Sequence, residues 1–274
     1  MKRALYLATT ALGLSFAAAA HADPLPVPGN FNFLQSDNNA SPKLPFSSFA
    51  PTGWTYGNQG GLVFIASSST SSANPSAPCG GTYLQTYGCP STLAIPGGYN
   101  VVEADGNPTY ESGFGATVSG LTPGKTYTLS FYEAASQQTG FTGNTTNQWI
   151  VGLGKTGSLL KSDCTTDPCT YYDTDSTASV AASELMNVAS GGLQDWEYVS
   201  VNLTANSATE TLSFLAWGNG GSTANEPPMA FLTGVNASPG LLPEPASLAL
   251  LGVGVAGLGG VVRRRRAARR TPEA

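Results

Sequence analysis

Between residues 23 and 240 the sequence holds no histidine and no arginine. The chain's one histidine, His21, sits in an apolar N-terminal stretch. Without imidazole, that long middle segment has no Ser-His-Asp or Cys-His nucleophile, no His-ligated zinc and no His general base. Cations are almost missing as well: Lys43, Lys125, Lys155 and Lys161 face fifteen carboxylates, so the segment carries a net charge near −11. The whole-chain value of −5 hides this, because every arginine lies outside the segment. So acidic a surface repels nucleic-acid phosphates. It tolerates calcium and uncharged ligands such as sugars. Long helical periodicity is absent too, and Ser183–Ala189 reads as the one short helical turn.

What is present begins at the two ends. Lys2 and Arg3 precede an apolar run from Ala4 to Ala20, followed by Ala20-His21-Ala22. A basic start, an apolar core and an A-x-A site make residues 1–22 a secretory signal peptide, with Asp23 as the first mature residue. A second apolar run, Ala246–Val262, spans about 26 Å as a helix, just short of a ~30 Å hydrocarbon core. Arg263, Arg264, Arg265, Arg266, Arg269 and Arg270 follow it. Such a cluster stays on the cytoplasmic side, which places residues 23–240 outside a single C-terminal transmembrane helix.

Pro243-Glu244-Pro245 stands directly before that run. The motif, the short Gly-rich span and the arginine cluster resemble, over 241–270, the PEP-CTERM sorting signal. The resemblance implies recognition by an exosortase-type membrane processing enzyme, cleavage near Pro243, Glu244 and Pro245, and a place in the cell surface or biofilm matrix beside extracellular polysaccharide.

Four cysteines remain, Cys79, Cys89, Cys164 and Cys169, which allow three pairings. Export favours disulfides, and the local spacing predicts Cys79–Cys89 and Cys164–Cys169. Each would contribute about 2–3 kcal/mol by restricting the unfolded chain. A metal site is the rival reading, disfavoured by the lack of histidine and of Cys-x-x-Cys.

Thirty-three glycines and nineteen prolines cut the chain into short pieces. The pieces read as strands. Thr126–Ala134 alternates, with Tyr127, Leu129 and Phe131 on one face. Before it, Leu121-Thr122-Pro123-Gly124-Lys125 has Pro and Gly placed as in a type II turn. Gln148–Leu153, Trp196–Leu203, Glu210–Trp217 and Pro228–Val235 read as further strands, and 161–175 as a polar insertion holding the second disulfide. Residues 23–240 are thus expected to form one all-β domain, an antiparallel β-sandwich. Gly120–Phe131 and Trp196–Ala205 resemble, within roughly 99–238, the corresponding strands of the galactose-binding-like jelly roll.

Sugar recognition needs exposed aromatic faces beside hydrogen-bonding groups. Tyr56, Tyr110, Tyr171 and Tyr172 lie in or beside predicted loops, whereas Trp149, Trp196 and Trp217 fall on strands and read as core. For calcium the best local cluster is Glu103, Asp105 and Asn107; the jelly-roll resemblance implies that a structural calcium is common in such folds. Glycoside hydrolysis needs two carboxylates, for which Glu103, Glu111, Glu133 and Asp195 are available. In so acidic a segment some pair is inevitable. The sequence therefore points to a non-enzymatic surface or matrix protein, requiring no cofactor, that associates with extracellular polysaccharide. The alternatives are a purely structural or adhesive module, or a carboxylate-dependent secreted hydrolase.

Overall fold

The computed structural model describes residues 22–27, 43–45, 53–57, 63–66, 86–87, 96, 101–110, 113–224 and 226–236. The signal 1–21, Cys79, Cys89, Glu111, Pro243, Glu244, Pro245 and the 246–262 span lie outside the described residues.

Fifteen strands follow one another among the described residues: β1 (Asp23–Pro24), β2 (Lys43–Pro45), β3 (Trp54–Tyr56), β4 (Val63–Ala66), β5 (Val101–Asp105), β6 (Phe114–Ser119), β7 (Thr126–Gln137), β8 (Thr145–Lys155), β9 (Leu160–Asp163), β10 (Thr170–Asp173), β11 (Ser179–Ala182), β12 (Met186–Val188), β13 (Leu193–Thr204), β14 (Thr209–Gly218) and β15 (Pro228–Thr233). The first sheet runs β2-β4-β5-β15-β7, with β1 beside one end of β7 and β13 along its other side. The second runs β3-β6-β14-β8, with β11 and β12 sharing the far side of β8. Apart from the parallel β1–β7 contact, every ladder is antiparallel. The domain is an all-β sandwich, as its turn-rich sequence requires.

Local chemistry starts β7. Lys125 N–H donates to the Thr122 carbonyl at 3.0 Å, closing the type II turn, and Gly124 takes its φ of 79°. The Tyr127 hydroxyl accepts the Thr122 N–H at 2.9 Å and pins the turn to the strand. Tyr127, Leu129 and Phe131 then enter the core, as the alternation demands.

That core lies between the sheets. Phe214 of β14 is its hub: Phe114, Phe131, Trp54 and Trp149 place their ring centroids 5.7, 5.8, 6.3 and 6.4 Å from it. Trp149 crosses the layers, its indole N–H donating to the Phe231 carbonyl at 3.1 Å. Buried Leu25, just after β1, adds to the same cluster.

Two segments differ from the sequence reading. The polar insertion 161–175 contains a hairpin, β9–β10, which covers the outer face of the second sheet. Leu160 and Cys169 pack there against Ile150, Leu215 and Trp217. A Cβ on Gly113 would stand 1.9 Å from the Leu160 carbonyl oxygen, so only glycine admits the hairpin this closely. Ser183–Ala189 is not a helical turn either. It contains β12, where Met186 and Val188 are buried and Asn187 is exposed. A three-residue strand is too short for period two to stand out in sequence.

Candidate functional site

The hairpin forms a flank with the loop after β5. Ser162 Oγ donates to the Pro108 carbonyl at 3.0 Å, and the Cys164 sulfur lies 3.6 Å from the same oxygen. The Cys164–Cys169 disulfide closes the hairpin. Cys169 N–H donates to Gly221 O at 2.8 Å and ties it to the loop after β14.

Three of the four candidate tyrosines belong to these two segments, and the consecutive Tyr171 and Tyr172 point to opposite faces of β10. Tyr171 sits opposite Ser162 and Tyr172 opposite Lys161 in the hairpin register. Tyr110 lies two residues beyond Pro108, the contact point of the two segments. Tyr110, Tyr171 and Tyr172 are 47%, 37% and 46% exposed. Tyr171 is nevertheless fixed, its ring edge-on to Trp217 at 5.2 Å. Tyr56 does not join them; it is half-buried against the main core.

A Cys164→Ser/Cys169→Ser variant is expected to lose about 2 kcal/mol of stability, the size of a short-loop constraint. Urea unfolding measures it. An unchanged midpoint would show that the hairpin is held by packing alone.

Glu103 and Asp105 alternate with the core residues Val102 and Ala104, so they face away from the inter-sheet core, yet both are buried. Burial pushes the Asp105 carboxyl up to about 7, against the lowering effect of the Asn107 N–H that donates to it at 2.8 Å. Asn107 is a keystone of the loop. Its Oδ1 accepts from the Thr109 N–H and hydroxyl at 3.0 and 2.7 Å, and its Nδ2 donates to Ala224 O at 2.9 Å. Its side-chain oxygen is thus already occupied, which leaves Glu103 and Asp105 as the carboxylates of that cluster. Asn147 of β8 is 1% exposed with neither side-chain polar atom partnered, and its Oδ1 lies against Gly106. Among the described residues no three His, Cys, Asp or Glu side chains converge as a metal-binding group.

A second concave feature, which the sequence did not reveal, opens between the edges of the two sheets. It is a cleft of about 410 Å³ between the β11–β12 link and β13. Glu133, Ser183, Glu184, Glu197, Val199 and Val201 line it. Glu133 continues the inward series of Leu129 and Phe131, and Glu197 is its direct partner across the β13–β7 ladder. Ser183 Oγ accepts the Trp149 N–H at 2.9 Å and donates to Glu133 Oε2 at 2.7 Å. Burial raises the Glu133 carboxyl to about 8, and the neighbouring Glu197 and Glu184 push the same way against the Ser183 bond. Glu103 and Glu133 occupy opposite faces of the first sheet, so they form no catalytic pair.

Comparison with known proteins adds the following. Residues 242–266 match the PEP-CTERM protein-sorting motif. No curated protein matches the chain in sequence. Among solved structures it is similar to the enzymatically active domain of bacteriophage CBA120 tailspike protein 4, with 12% identity and a TM-score of 0.31 over 67% of this chain and 19% of that one. The chain thus spans about a fifth of the tailspike domain's length. A family 16 carbohydrate-binding module-2 gives 15% identity and a TM-score of 0.28 over 56% and 83% of the two chains. The K2 cleaved adhesin domain of Lys-gingipain gives 15% and 0.32 over 70% and 94%. Likenesses this distant say nothing about what the present chain binds. The sorting motif does bear on destination: this is an exported protein. Among the described residues no helix is long and apolar enough to cross a membrane.

Proposed function

We propose that this exported protein is a non-catalytic component of the cell surface or extracellular matrix whose sandwich associates with extracellular polysaccharide. An exosortase-type enzyme would process its tail near Pro243-Glu244-Pro245, releasing it from a C-terminal membrane helix. The observation that carries the polysaccharide reading is the tyrosine flank. Two segments joined by the Ser162–Pro108 hydrogen bond, one of them a hairpin closed by a disulfide, leave Tyr110, Tyr171 and Tyr172 exposed to solvent. Aromatic faces stack on the apolar faces of sugar rings, and a fixed ring loses little freedom on binding. The net negative charge favours an uncharged or cationic chain over an acidic one.

The test is binding of the full chain, in mild detergent, to a panel of neutral and amino-sugar polysaccharides. Tyr171→Ala/Tyr172→Ala is expected to weaken binding by about five- to tenfold per stacked ring, the equivalent of ~1 kcal/mol each. Unchanged affinity in that variant would remove the flank from the interaction. No binding to any glycan would leave the purely structural reading. A structural calcium would draw on Glu103, Asp105 and the unpartnered Asn147 oxygen. A melting temperature that rises with added calcium would support it.

A further inference from the structure

Strand register gives the sandwich two unlike ends. The chain enters at one of them: Asp23 of β1 stands opposite Tyr127 at the start of β7, and Leu25 N–H donates to Thr128 O at 2.8 Å. The described chain leaves at the same end, where Asn236 N–H donates to Ser130 O at 2.7 Å and its side-chain amide donates to Leu25 O. The turn before β7 and the link between β13 and β14 lie there too, joined by Ala205 N–H donating to Lys125 O at 3.0 Å. The far end is where β5 and β14 finish and β15 begins. Gly218 N–H donates there to Gly106 O at 2.8 Å, and Gly106 N–H to Pro228 O at 2.7 Å. The tip of the hairpin belongs to the far end, through Cys169 N–H on Gly221 O and Thr223 N–H on the Asp167 carboxylate. So does Tyr110, just beyond Pro108. The 12 residues of β7 set the two ends about 35 Å apart.

Charge divides in the same way. Of the four lysines between residues 23 and 240, three fall at the entry end. Lys125 lies beside Asp23, and Lys155 closes β8 opposite Glu210. Lys43 is opposite Ala66, which is opposite Val101 at the start of β5. Lys161 follows Leu160, which packs over Gly152 between the ends. Of the carboxyl groups near the entry end, those of Asp173 and Glu210 are buried, and Asp23 is paired with Lys125. Asp175 accepts the N–H groups of Lys155 and Thr177. Asp163, Asp167, Asp195 and Glu226 stand toward the far end, where no lysine lies among the described residues.

We propose that the entry end is the surface by which the domain rests on a bilayer containing anionic lipid, with the tyrosine-bearing end turned away from it. This orientation rests on the C-terminal membrane helix read above, and it does not depend on glycan binding. Chain length supports it. Six residues separate Asn236 from Pro243, so the sorting motif stays within about 25 Å of the exit. On a domain about 35 Å long, so short a link brings the exit end nearer the bilayer than the far end. Charge complementarity then selects the pose. A negative lipid surface attracts the lysines and repels the acidic far end, with a reach of about 10 Å at ordinary salt. Removal of a signal after Ala22 would add the α-ammonium of Asp23 to the same end. Tyr110, Tyr171 and Tyr172 are then accessible to polysaccharide before the tail is cut.

The experiment places a genetically encoded fluorophore at Thr122 or at Thr166 of the full chain; both positions are exposed, one at each end. The chain is reconstituted into vesicles of phosphatidylcholine with about a quarter phosphatidylglycerol, and Förster transfer to a headgroup-labelled lipid is read. Transfer from Thr122 is expected to exceed that from Thr166 by at least about twofold, given ends about 35 Å apart. At least about half of that excess is expected to disappear in pure phosphatidylcholine, in about 0.5 M salt, and in Lys125→Gln/Lys155→Gln, whose side chains are exposed. Equal transfer from the two positions, or more from Thr166, overturns the orientation and leaves the membrane helix standing. An excess at Thr122 that ignores lipid charge, salt and the lysines comes from the tether alone and overturns the lipid-facing surface. Transfer that follows the number of chains per vesicle instead of lipid charge gives the surface to a second copy and overturns the lipid. A chain that does not float with the vesicles overturns the membrane-helix reading, and this orientation with it.

Discussion

Phe214→Ala is expected to lower the free energy of unfolding by about 3–5 kcal/mol, the range for removing a buried phenylalanine. The ring has no exposed surface and meets four other aromatic rings, two from its own sheet's neighbours β6 and β8, one from β3 and one from β7 across the core. Its removal leaves a void at the point where both layers meet, and large rings on all sides cannot collapse into it. In a domain of this size each kcal/mol moves the melting temperature by about 2–4 °C, so a drop on the order of 10 °C follows. Thermal melting by circular dichroism checks it. Tyr172→Ala, at an exposed ring, is the control and is expected to shift the melt by no more than about 2 °C. A Phe214 variant as mild as the Tyr172 control would remove the hub from the centre of the core.

Raising the pH from about 5 to 8 is expected to destabilise the domain. Asp105 and Glu133 keep their protons in the folded state up to about 7 and about 8, because burial disfavours their charged forms. In the unfolded chain they release them near 3.8 and 4.5. Between those values unfolding sheds protons, so each group costs up to about 1.4 kcal/mol of stability per pH unit as the pH rises. Glu210, also raised by burial, acts in the same direction. Asp163 and Asp175 act in the opposite sense. N–H donors from Thr165 and Lys155 hold their carboxyls below the usual range, so their stabilisation disappears only in acid, as pH falls below the ordinary value of 3.8. The stability maximum is therefore expected near pH 4–5. Urea midpoints at pH 5 and pH 8 measure the slope. Asp105→Asn and Glu133→Gln keep shape and hydrogen-bonding capacity while removing the titration, and each is expected to flatten part of it. A midpoint that rises from pH 5 to pH 8 would contradict the burial of both groups.

Much of this architecture was legible wherever a strand alternates cleanly over several residues. Thr126–Ala134 placed Tyr127, Leu129 and Phe131 inward, and Trp149 and Trp217 were recognisable as core because long apolar strands surround them. The Pro123-Gly124 turn was legible because its chemistry is local. The hairpin β9–β10 was not. Its residues are mostly polar, and it is held by the few that touch the outer face of the second sheet, a partnership that no local pattern encodes. Tyr171 and Tyr172 were named for lying in or beside loops, but they stand on β10, and the contact of that hairpin with Pro108, two residues before Tyr110, is a long-range one. The cleft was invisible for a similar reason: β7, β11 and β13 bring it together from distant stretches of chain. One local sign did exist. Glu133 continues the inward series of Leu129 and Phe131, and a carboxyl in a core-facing register is a candidate for a special environment.

The way the chain leaves the sandwich sets how the protein bears tension. The last of the described strands, β15, is not at an edge; it is paired with β7 over Pro228–Thr233 and with β5 over Met229–Leu232. Asn236 then donates its N–H to Ser130 O at 2.7 Å and its side-chain amide to the Leu25 carbonyl, clasping the entering segment as the chain exits. Only six residues of sequence separate Asn236 from Pro243. Tension applied to the chain beyond Asn236 would therefore reach a central strand paired on both sides. Both ladders resist together in shear, instead of opening one pair at a time as an edge strand would peel. A domain built this way would hold its shape under such a pull.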